Sequence, residues 1–419
     1  MTEQTATPMP TPRPLPLHLA MQTLTYALSL GALPTLRNGS IDWKALLPEK
    51  ANPANADLTE DEWKQFCAAV AAETDARVRR FADGVAAFTR AVSGPPHRSS
   101  LPDVWSEGTT TLRRAEADGP PVVLVPSLVN RAYILDLQPR RSLARYLAAS
   151  GFDTYLIDWD GPGPDEKRFG FDDYVKRLER VVDHVIAETG QKPAVVGYCM
   201  GGNLALALAA VAGDKIAALG LLATPWDFEA MPAAPRTMLA ASMPMLRQTL
   251  AFMNELPVDV LQAMFASLDP GATARKFRNF AGLDPDGRTA QEFVRLESWL
   301  NDGVPLAPKV AEACLQGWYV ENLPGRGLWT CCGVTVDPAK IDIPVLCMVP
   351  SNDVIVPPET AKPLGVLLPR AETREVKAGH IGMVAGSRAK KVLFEPLAEW
   401  LNGTLDESLG HIEKKGHLT

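Results

Sequence analysis

Hydrophobic residues recur at helical intervals in the N-terminal part of the chain. Between residues 63 and 88, aromatic and β-branched residues fall mostly three or four positions apart, which predicts one long amphipathic helix. Thr59 and Glu62 stand at the spacing of a capping box and mark the start of that helix. We therefore expect a helical extension over residues 17–115, preceded by a disordered Thr- and Pro-rich tail over residues 1–16.

Beyond this extension, short apolar runs alternate with segments of helical spacing. The runs, several of them rich in β-branched residues, lie at 122–126, 154–159, 194–197, 217–223 and 343–349, with a last strand predicted at 374–376. Continuous apolar runs are typical of buried parallel strands, and their alternation with helices predicts a mostly parallel, doubly wound α/β sheet. We expect this core to occupy residues 116–225 and 331–405.

The alternation is interrupted over residues 226–330, which are helical in pattern, rich in Met and cut by several prolines. We interpret this segment as a helical cap inserted over the carboxyl edge of the sheet. Because Met adapts to apolar partners of varied shape, such a cap can be both a packed core and the lining of an acyl site. The polar residues 406–419 are expected to form a loose tail.

Composition narrows the classes of function. The chain is 46% hydrophobic and 22% charged, as core-forming globular proteins are. A formal net charge of −7 argues against a nucleic-acid partner. We see neither a secretory signal nor an apolar run long enough to span a bilayer. The six cysteines show no metal-ligand spacing, so we predict no metal site. The adjacent Cys331 and Cys332 are not expected to pair with each other. Free thiols and the lack of a recognisable secretory signal are typical of a protein in the reducing cytoplasm.

One glycine-rich corner carries the candidate chemistry. Residues 194–207 read Ala-Val-Val-Gly-Tyr-Cys-Met-Gly-Gly-Asn-Leu-Ala-Leu-Ala, which predicts a strand, a sharp turn and a helix. This is the pattern of the nucleophile elbow of an α/β-hydrolase, with Cys199 where a serine usually stands. At Gly197 and Gly201 a side chain would collide with the neighbouring strand or helix. The alternative interpretation is an ordinary glycine-rich strand-to-helix turn.

A thiol nucleophile needs a base, and the base needs an acid that orients it. In α/β-hydrolases the chain order is nucleophile, acid, histidine. Asp353 follows the apolar run at 343–349, and His380 lies on a glycine-flanked loop after the last predicted strand. We therefore predict that Cys199, Asp353 and His380 form a catalytic triad.

Backbone amides are expected to stabilise the oxyanion of such a site. The amide of Met200 begins the helix that follows the nucleophile. A second donor is expected from the loop after the first core strand, where Leu128 and Val129 are both candidates. The sequence does not choose between them.

Several ordered motifs resemble those of polyhydroxyalkanoate synthases. They lie at residues 125–137, 197–202, 224–228, 297–302, 318–323, 352–357 and 379–382, and the resemblance covers about residues 120–402. Ser127 and Val354 depart from the family pattern, in which a second proline and a histidine are common at these positions. The chain is nearer in length to the catalytic subunits that work with a second subunit than to single-subunit synthases.

The resemblance implies an acyltransferase that polymerises (R)-3-hydroxyacyl-CoA and releases coenzyme A. It implies that Cys199 carries the acyl group as a thioester, that His380 is the general base and that Asp353 assists His380. It also implies a coenzyme A thioester as substrate with no separate cofactor, a homodimer with a possible second synthase subunit, and a cytoplasmic protein at the surface of polyester granules.

The same triad is compatible with other functions. An intracellular polyhydroxyalkanoate depolymerase or an acyl-CoA thioesterase would use water in place of a hydroxyacyl group, since both are oxygen nucleophiles. A non-catalytic scaffold on the granule is a third alternative. The presence of all three triad residues argues against that scaffold.

Overall fold

A computed structural model describes residues 11–38, 40, 58–92 and 98–416, with side chains as far as Leu405. It divides into two compact units, one comprising residues 1–95 with 262–301 and the other residues 96–261 with 302–419. Most of the predicted disordered tail, residues 1–10, lies outside the described residues.

The strands and helices alternate through the larger unit as predicted. The strands are β1 (Asp103–Glu107), β2 (Thr110–Ala115), β3 (Pro121–Val125), β4 (Asp136–Gln138), β5 (Arg141–Ser142), β6 (Asp153–Asp158), β7 (Ala194–Tyr198), β8 (Ala218–Leu222), β9 (Thr330–Cys331), β10 (Val334–Thr335), β11 (Val345–Pro350) and β12 (Ala371–Val376). The α-helices are α1 (Leu15–Gly31), α2 (Leu33–Arg37), α3 (Glu60–Ala91), α4 (Leu143–Ala149), α5 (Phe171–Thr189), α6 (Met200–Ala212), α7 (Ala233–Met253), α8 (Val258–Leu268), α9 (Ala272–Phe280), α10 (Arg288–Asn301), α11 (Pro308–Glu312), α12 (Pro358–Leu367), α13 (His380–Ala385) and α14 (Glu395–Gly416).

An eight-stranded sheet, in the order β1-β2-β6-β3-β7-β8-β11-β12, forms the centre of the larger unit. The six strands from β6 to β12 in that order are parallel, and β3, β6, β7, β8 and β11 are buried along their whole length. Buried parallel strands need cover on both faces, which explains their continuous apolar character. Their carboxyl ends meet at one edge, where the loops after β3, β7 and β11 come together.

The predicted helical extension over residues 17–115 is wrong in its last part. Residues 103–115 form β1 and β2, which pair antiparallel with each other, and β2 pairs antiparallel with β6. In β2, buried and half-buried residues are mixed, and β1 is mostly exposed. Antiparallel strands that are partly exposed, as β1 at the sheet edge and β2 beside it are, lack the continuous apolar run from which the core strands were predicted.

Two other predicted boundaries differ from the structure. The tail over 406–419 was expected to be loose, but α14 continues to Gly416. The segment 226–330 was expected to be a single cap, but residues 262–301 group with residues 1–95 in the smaller unit.

Among the residues that the structure describes, no helix has both the length and the apolar character needed to cross a membrane.

The smaller unit is organised by α3, which starts where the sequence predicts. Thr59 Oγ1 accepts from the Glu62 amide at 3.3 Å and the Glu62 carboxylate accepts from the Thr59 amide at 2.8 Å, which completes the capping box. Phe81 and Phe88 of α3 make edge contacts with Phe277 of α9, with ring centroids 6.2 and 5.5 Å apart. Aromatic edge contacts of this kind contribute about 0.5–1.5 kcal/mol beyond the area that they bury.

Gly84 allows α3 to approach α9 this closely, and its replacement should separate them. A Cβ atom at Gly84 would lie 2.0 Å from the backbone oxygen of Phe277. We expect Gly84→Ala to lower the midpoint of thermal unfolding, because overpacking costs about 1–3 kcal/mol and the better helix propensity of Ala returns only ~1 kcal/mol. Gly31→Ala in α1 is the matched control, since its Cβ would meet no atom within 4 Å. Equal midpoints for the two variants would contradict this account.

Candidate active site

The predicted elbow forms between β7 and α6. Cys199 has φ 56° and ψ −126°, a left-handed conformation that is strained for a residue with a side chain. Its amide donates to the Leu222 carbonyl at 2.8 Å, and its own carbonyl accepts from the Gly202 amide at 2.9 Å. These two hydrogen bonds fix the corner to the neighbouring strand and to the first turn of the helix.

Glycines are required around the elbow because backbone and side chains crowd it. A Cβ atom on Gly197 would lie 2.5 Å from the Gly201 carbonyl oxygen, and one on Gly201 would lie 2.1 Å from the Val125 carbonyl oxygen. The collisions predicted for these two positions are therefore confirmed. A third position was missed, since a Cβ on Gly202 would lie 1.9 Å from Thr224 Oγ1.

Asp353 and His380 are joined by a short hydrogen bond beyond the ends of β11 and β12. His380 Nδ1 lies 2.6 Å from Asp353 Oδ2, and both residues are buried. The other carboxylate oxygen accepts from the amides of Ile355 at 2.9 Å and Val356 at 2.8 Å. These bonds hold the carboxylate as an acceptor, so that Nδ1 donates to it and Nε2 remains available to the nucleophile.

Cys199 lies close enough to His380 to interact with it electrostatically, so the structure brings the three predicted triad residues together. Burial alone would lower the pKa of His380. Electrostatic attraction to Cys199 and the hydrogen bond to Asp353 outweigh burial and raise that pKa to about 10. A positive charge on His380 is therefore favoured beside Asp353 and Cys199.

Tyr198 is a residue of the site that the sequence analysis did not single out. Its hydroxyl donates to the His380 backbone carbonyl at 3.2 Å, and the two rings lie 5.0 Å apart. Burial raises the pKa of Tyr198 well above its usual value, so the hydroxyl keeps its proton and remains a donor. Its place beside Cys199 in the elbow motif was the available signal, but the contact with His380 depends on tertiary packing.

The candidate oxyanion donors lie on the two predicted segments. Met200 is the first residue of α6, where helix amides have no partner within the helix. In the loop after β3, the Val129 amide already donates to Ser127 Oγ at 3.2 Å, while its carbonyl accepts from the Val304 amide at 3.4 Å. This leaves Leu128 as the better second donor. The roles of all three amides remain predictions.

Apolar and weakly polar groups surround the thiol. Cys199 packs against a buried cluster of Val349, Val356 and Ala361. Cys314 is buried and Tyr319 is half-buried, both on a π-helical segment at Ala313–Val320, and desolvation together with the nearby Cys199 raises the pKa of both side chains. Both groups therefore stay neutral near the nucleophile.

Comparison with known proteins shows which family this chain belongs to. Residues 120–386 match the model of the alpha/beta hydrolase fold, which confirms the predicted fold class. The "Poly(3-hydroxyalkanoate) polymerase subunit PhaC" of Allochromatium vinosum is 32% identical over 71% of this chain and 87% of its own length. The chain belongs to the poly(3-hydroxyalkanoate) polymerase family. The family resemblance inferred from the motifs is thus confirmed.

Other members of this polymerase family are similar at the same level. Subunits with the same name from Haloarcula marismortui and Synechocystis are 32% and 30% identical over 68% and 67% of this chain. The matches cover 61% of the Haloarcula protein and 77% of the Synechocystis protein. The chain therefore spans about three fifths of the length of the haloarchaeal relative.

Within the described part of the chain, one group of side chains could hold a metal ion: Asp172, Cys331 and Cys332. None of the three belongs to the predicted catalytic or oxyanion residues.

The Cys199–His380 pair should control how fast the thiol is alkylated. We expect iodoacetamide to modify Cys199 faster in the wild type than in His380→Gln, by about tenfold or more at pH 7, because the imidazolium stabilises the reactive thiolate. Since the pKa of His380 is raised to about 10, its positive charge is present below that pH and is lost as the pH rises through it. The difference should therefore be largest near neutral pH, and it should shrink above about pH 8.5, where the thiol of the variant ionises without the imidazolium.

Peptide mass spectrometry over time measures these rates. The partly buried Cys67, outside the site, is the internal reference. Equal Cys199 rates in the two proteins at pH 7 would remove His380 as its partner.

Proposed function

We propose that this protein is an acyltransferase that polymerises (R)-3-hydroxyacyl-CoA into polyhydroxyalkanoate. The observation that carries the proposal is the Cys199–His380–Asp353 arrangement on a strained elbow, in a chain whose relatives are named poly(3-hydroxyalkanoate) polymerase subunits. The substrate is a coenzyme A thioester, and we propose no separate cofactor.

In the first step, the Cys199 thiolate attacks the thioester carbonyl of the substrate. The oxyanion that forms would accept from the amides of Met200 and Leu128, at the start of α6 and after β3. The new carbon–sulfur bond to Cys199 replaces the bond to coenzyme A. The departing thiolate takes the proton that His380 Nε2 carries.

In the second step, His380 accepts the hydroxyl proton of another 3-hydroxyacyl-CoA. The hydroxyl oxygen attacks the thioester carbonyl on Cys199, so that an ester bond forms and the bond to the Cys199 sulfur breaks. The product is a chain that is one unit longer and still carries coenzyme A, and it acylates Cys199 again. Asp353 would hold the His380 ring in place and stabilise its positive charge in both steps.

The surroundings of the thiol favour a hydroxyacyl group over water as the attacking nucleophile. The apolar cluster of Val349, Val356 and Ala361 packs against Cys199, and the pKa of Cys314 and of Tyr319 is raised by burial, so that neither is charged. An acyl chain gains free energy from such contacts, at about 25 cal/mol per Å² of apolar surface buried, whereas water gains nothing from them. Hydrolysis by the same triad is the competing outcome in the experiments below.

We also propose a homodimer, with a second synthase subunit as a possible partner, in the cytoplasm with polyester granules as a possible location. Support for a second subunit comes from the relatives, which are named as subunits of a polymerase.

Incubation with (R)-3-hydroxybutyryl-CoA tests the reaction. We expect release of free coenzyme A thiol together with polyester of high mass, measured by a thiol reagent and by size-exclusion chromatography. Thiol release with only free hydroxy acid would show a thioesterase and overturn the proposal. Polyhydroxybutyrate offered as substrate distinguishes a depolymerase, which would release soluble hydroxy acid from it.

Substitution of the nucleophile should remove this activity. We expect Cys199→Ala to lower acyl transfer to below about one thousandth of the wild-type rate, since no acyl-enzyme can form. Cys199→Ser should retain little activity, because a hydroxyl is a weaker nucleophile than a thiolate. Cys67→Ser, remote from the triad in sequence, is the matched control and should polymerise normally. Activity retained by Cys199→Ala would show that the site lies elsewhere.

The role of His380 has a separate readout. In His380→Gln we expect no acylation of Cys199 by (R)-3-hydroxybutyryl-CoA near neutral pH, as measured by the mass of the intact protein. The glutamine can still form hydrogen bonds, but it cannot carry the proton that the departing coenzyme A requires. Rapid acyl-enzyme formation in this variant would exclude His380 as the acid and base.

A further inference from the structure

A hairpin outside the catalytic site brings two thiols together. β9 and β10 are joined by a turn at Cys332 and Gly333, whose φ values of 50° and 78° are those of a tight hairpin turn with two left-handed residues. Cys331 Sγ and Cys332 Sγ lie 4.0 Å apart. Cys331 is buried and Cys332 is partly accessible.

The fold adds a carboxylate to this pair of thiols. Asp172 lies in the first turn of α5, far from the hairpin in sequence. Cys332 Sγ donates to the backbone carbonyl of Asp172 at 3.5 Å. A side-chain oxygen of Asp172 and the two Sγ atoms all lie within 4.8 Å of one another.

These distances are close to those of a tetrahedral metal centre. With zinc–sulfur bonds of about 2.3 Å, two thiolates on one tetrahedral ion stand roughly 3.8 Å apart. The two Sγ atoms lie 4.0 Å apart, so a small side-chain rotation would bring them to that sulfur–sulfur distance. A carboxylate oxygen is an accepted third ligand, and thiolates select soft or borderline ions such as zinc over magnesium and calcium.

We propose that Asp172, Cys331 and Cys332 form a binding site for a thiophilic divalent cation of the zinc class. A fourth coordination position would be taken by water. A cleft lined by Gly170, Asp172, Trp329 and Thr330 adjoins the Asp172 side of this group. Two thiolates and one carboxylate carry more negative charge than a divalent ion neutralises. The positive charge of Lys176, in the next turn of α5, interacts with Cys332 and would offset part of this excess.

The bound ion would join the hairpin to the start of α5. Phe171, next to Asp172, stacks on Trp318 at 4.4 Å and makes an edge contact with Trp329 at 6.2 Å. The ion would therefore reinforce a contact that aromatic packing already makes. None of its ligands belongs to the triad, so the ion would act apart from the acyl-transfer site.

Cadmium is the probe that tests this site, because its bond to thiolate gives a charge-transfer absorption in the ultraviolet. The Cys199→Ala protein is the background for all titrations, since Cys199 with His380 is a rival thiol site. We expect one equivalent of Cd²⁺ to bind, to give the thiolate band and to raise the midpoint of thermal unfolding. A titration without a thiolate band in this fully reduced background would overturn the proposal.

Second substitutions locate the ligands. In the same background, Cys332→Ser should abolish most of the band, and Asp172→Asn should weaken Cd²⁺ binding by about tenfold or more. Cys67→Ser is the matched control and should leave the titration unchanged. Circular dichroism without metal verifies that each variant is folded, and Cys331→Ser is avoided because that side chain is buried. A band that persists unchanged in Cys332→Ser would overturn the assignment.

Discussion

The close packing at the elbow is the constraint on which the rest of the site depends. Gly197, Gly201 and Gly202 leave no room for a Cβ atom, so that α6 presses against the ends of β3 and β7. This contact forces Cys199 into a left-handed conformation and places the start of α6 beside the loop after β3. The nucleophile and its candidate oxyanion donors are thus positioned by backbone packing rather than by flexible side chains.

The histidine depends on a different kind of support. Burial disfavours a positive charge on His380, and the charge is held there by Asp353 and by Cys199. Asp353 is in turn fixed by the amides of Ile355 and Val356 at the end of β11. The electrostatic part of the site therefore depends on β11 and the segment after β12, whereas the elbow depends on β3, β7 and β8. The parallel sheet is what brings the two parts to one edge.

Prediction from the sequence succeeded where a local pattern determines structure. The buried parallel strands are continuous apolar runs, and the order Cys199, Asp353, His380 follows from the connections of the fold. It failed where contacts between distant parts of the chain decide the structure. β1 at the sheet edge and β2 beside it are partly polar, and Tyr198 meets His380 only through tertiary packing. Asp172 approaches Cys331 and Cys332 only after folding, so Cys-Cys spacing alone gave no sign of a third ligand.

The burial of His380 has a consequence for how protons move through the proposed reaction. The imidazole is enclosed by Asp353, Tyr198 and Cys199, so its exchange with buffer is restricted. A proton taken from an incoming hydroxyl is then the same proton that leaves with the next coenzyme A thiol. Chain growth would pass one proton through this ring for each unit added, and its rate would be independent of buffer concentration.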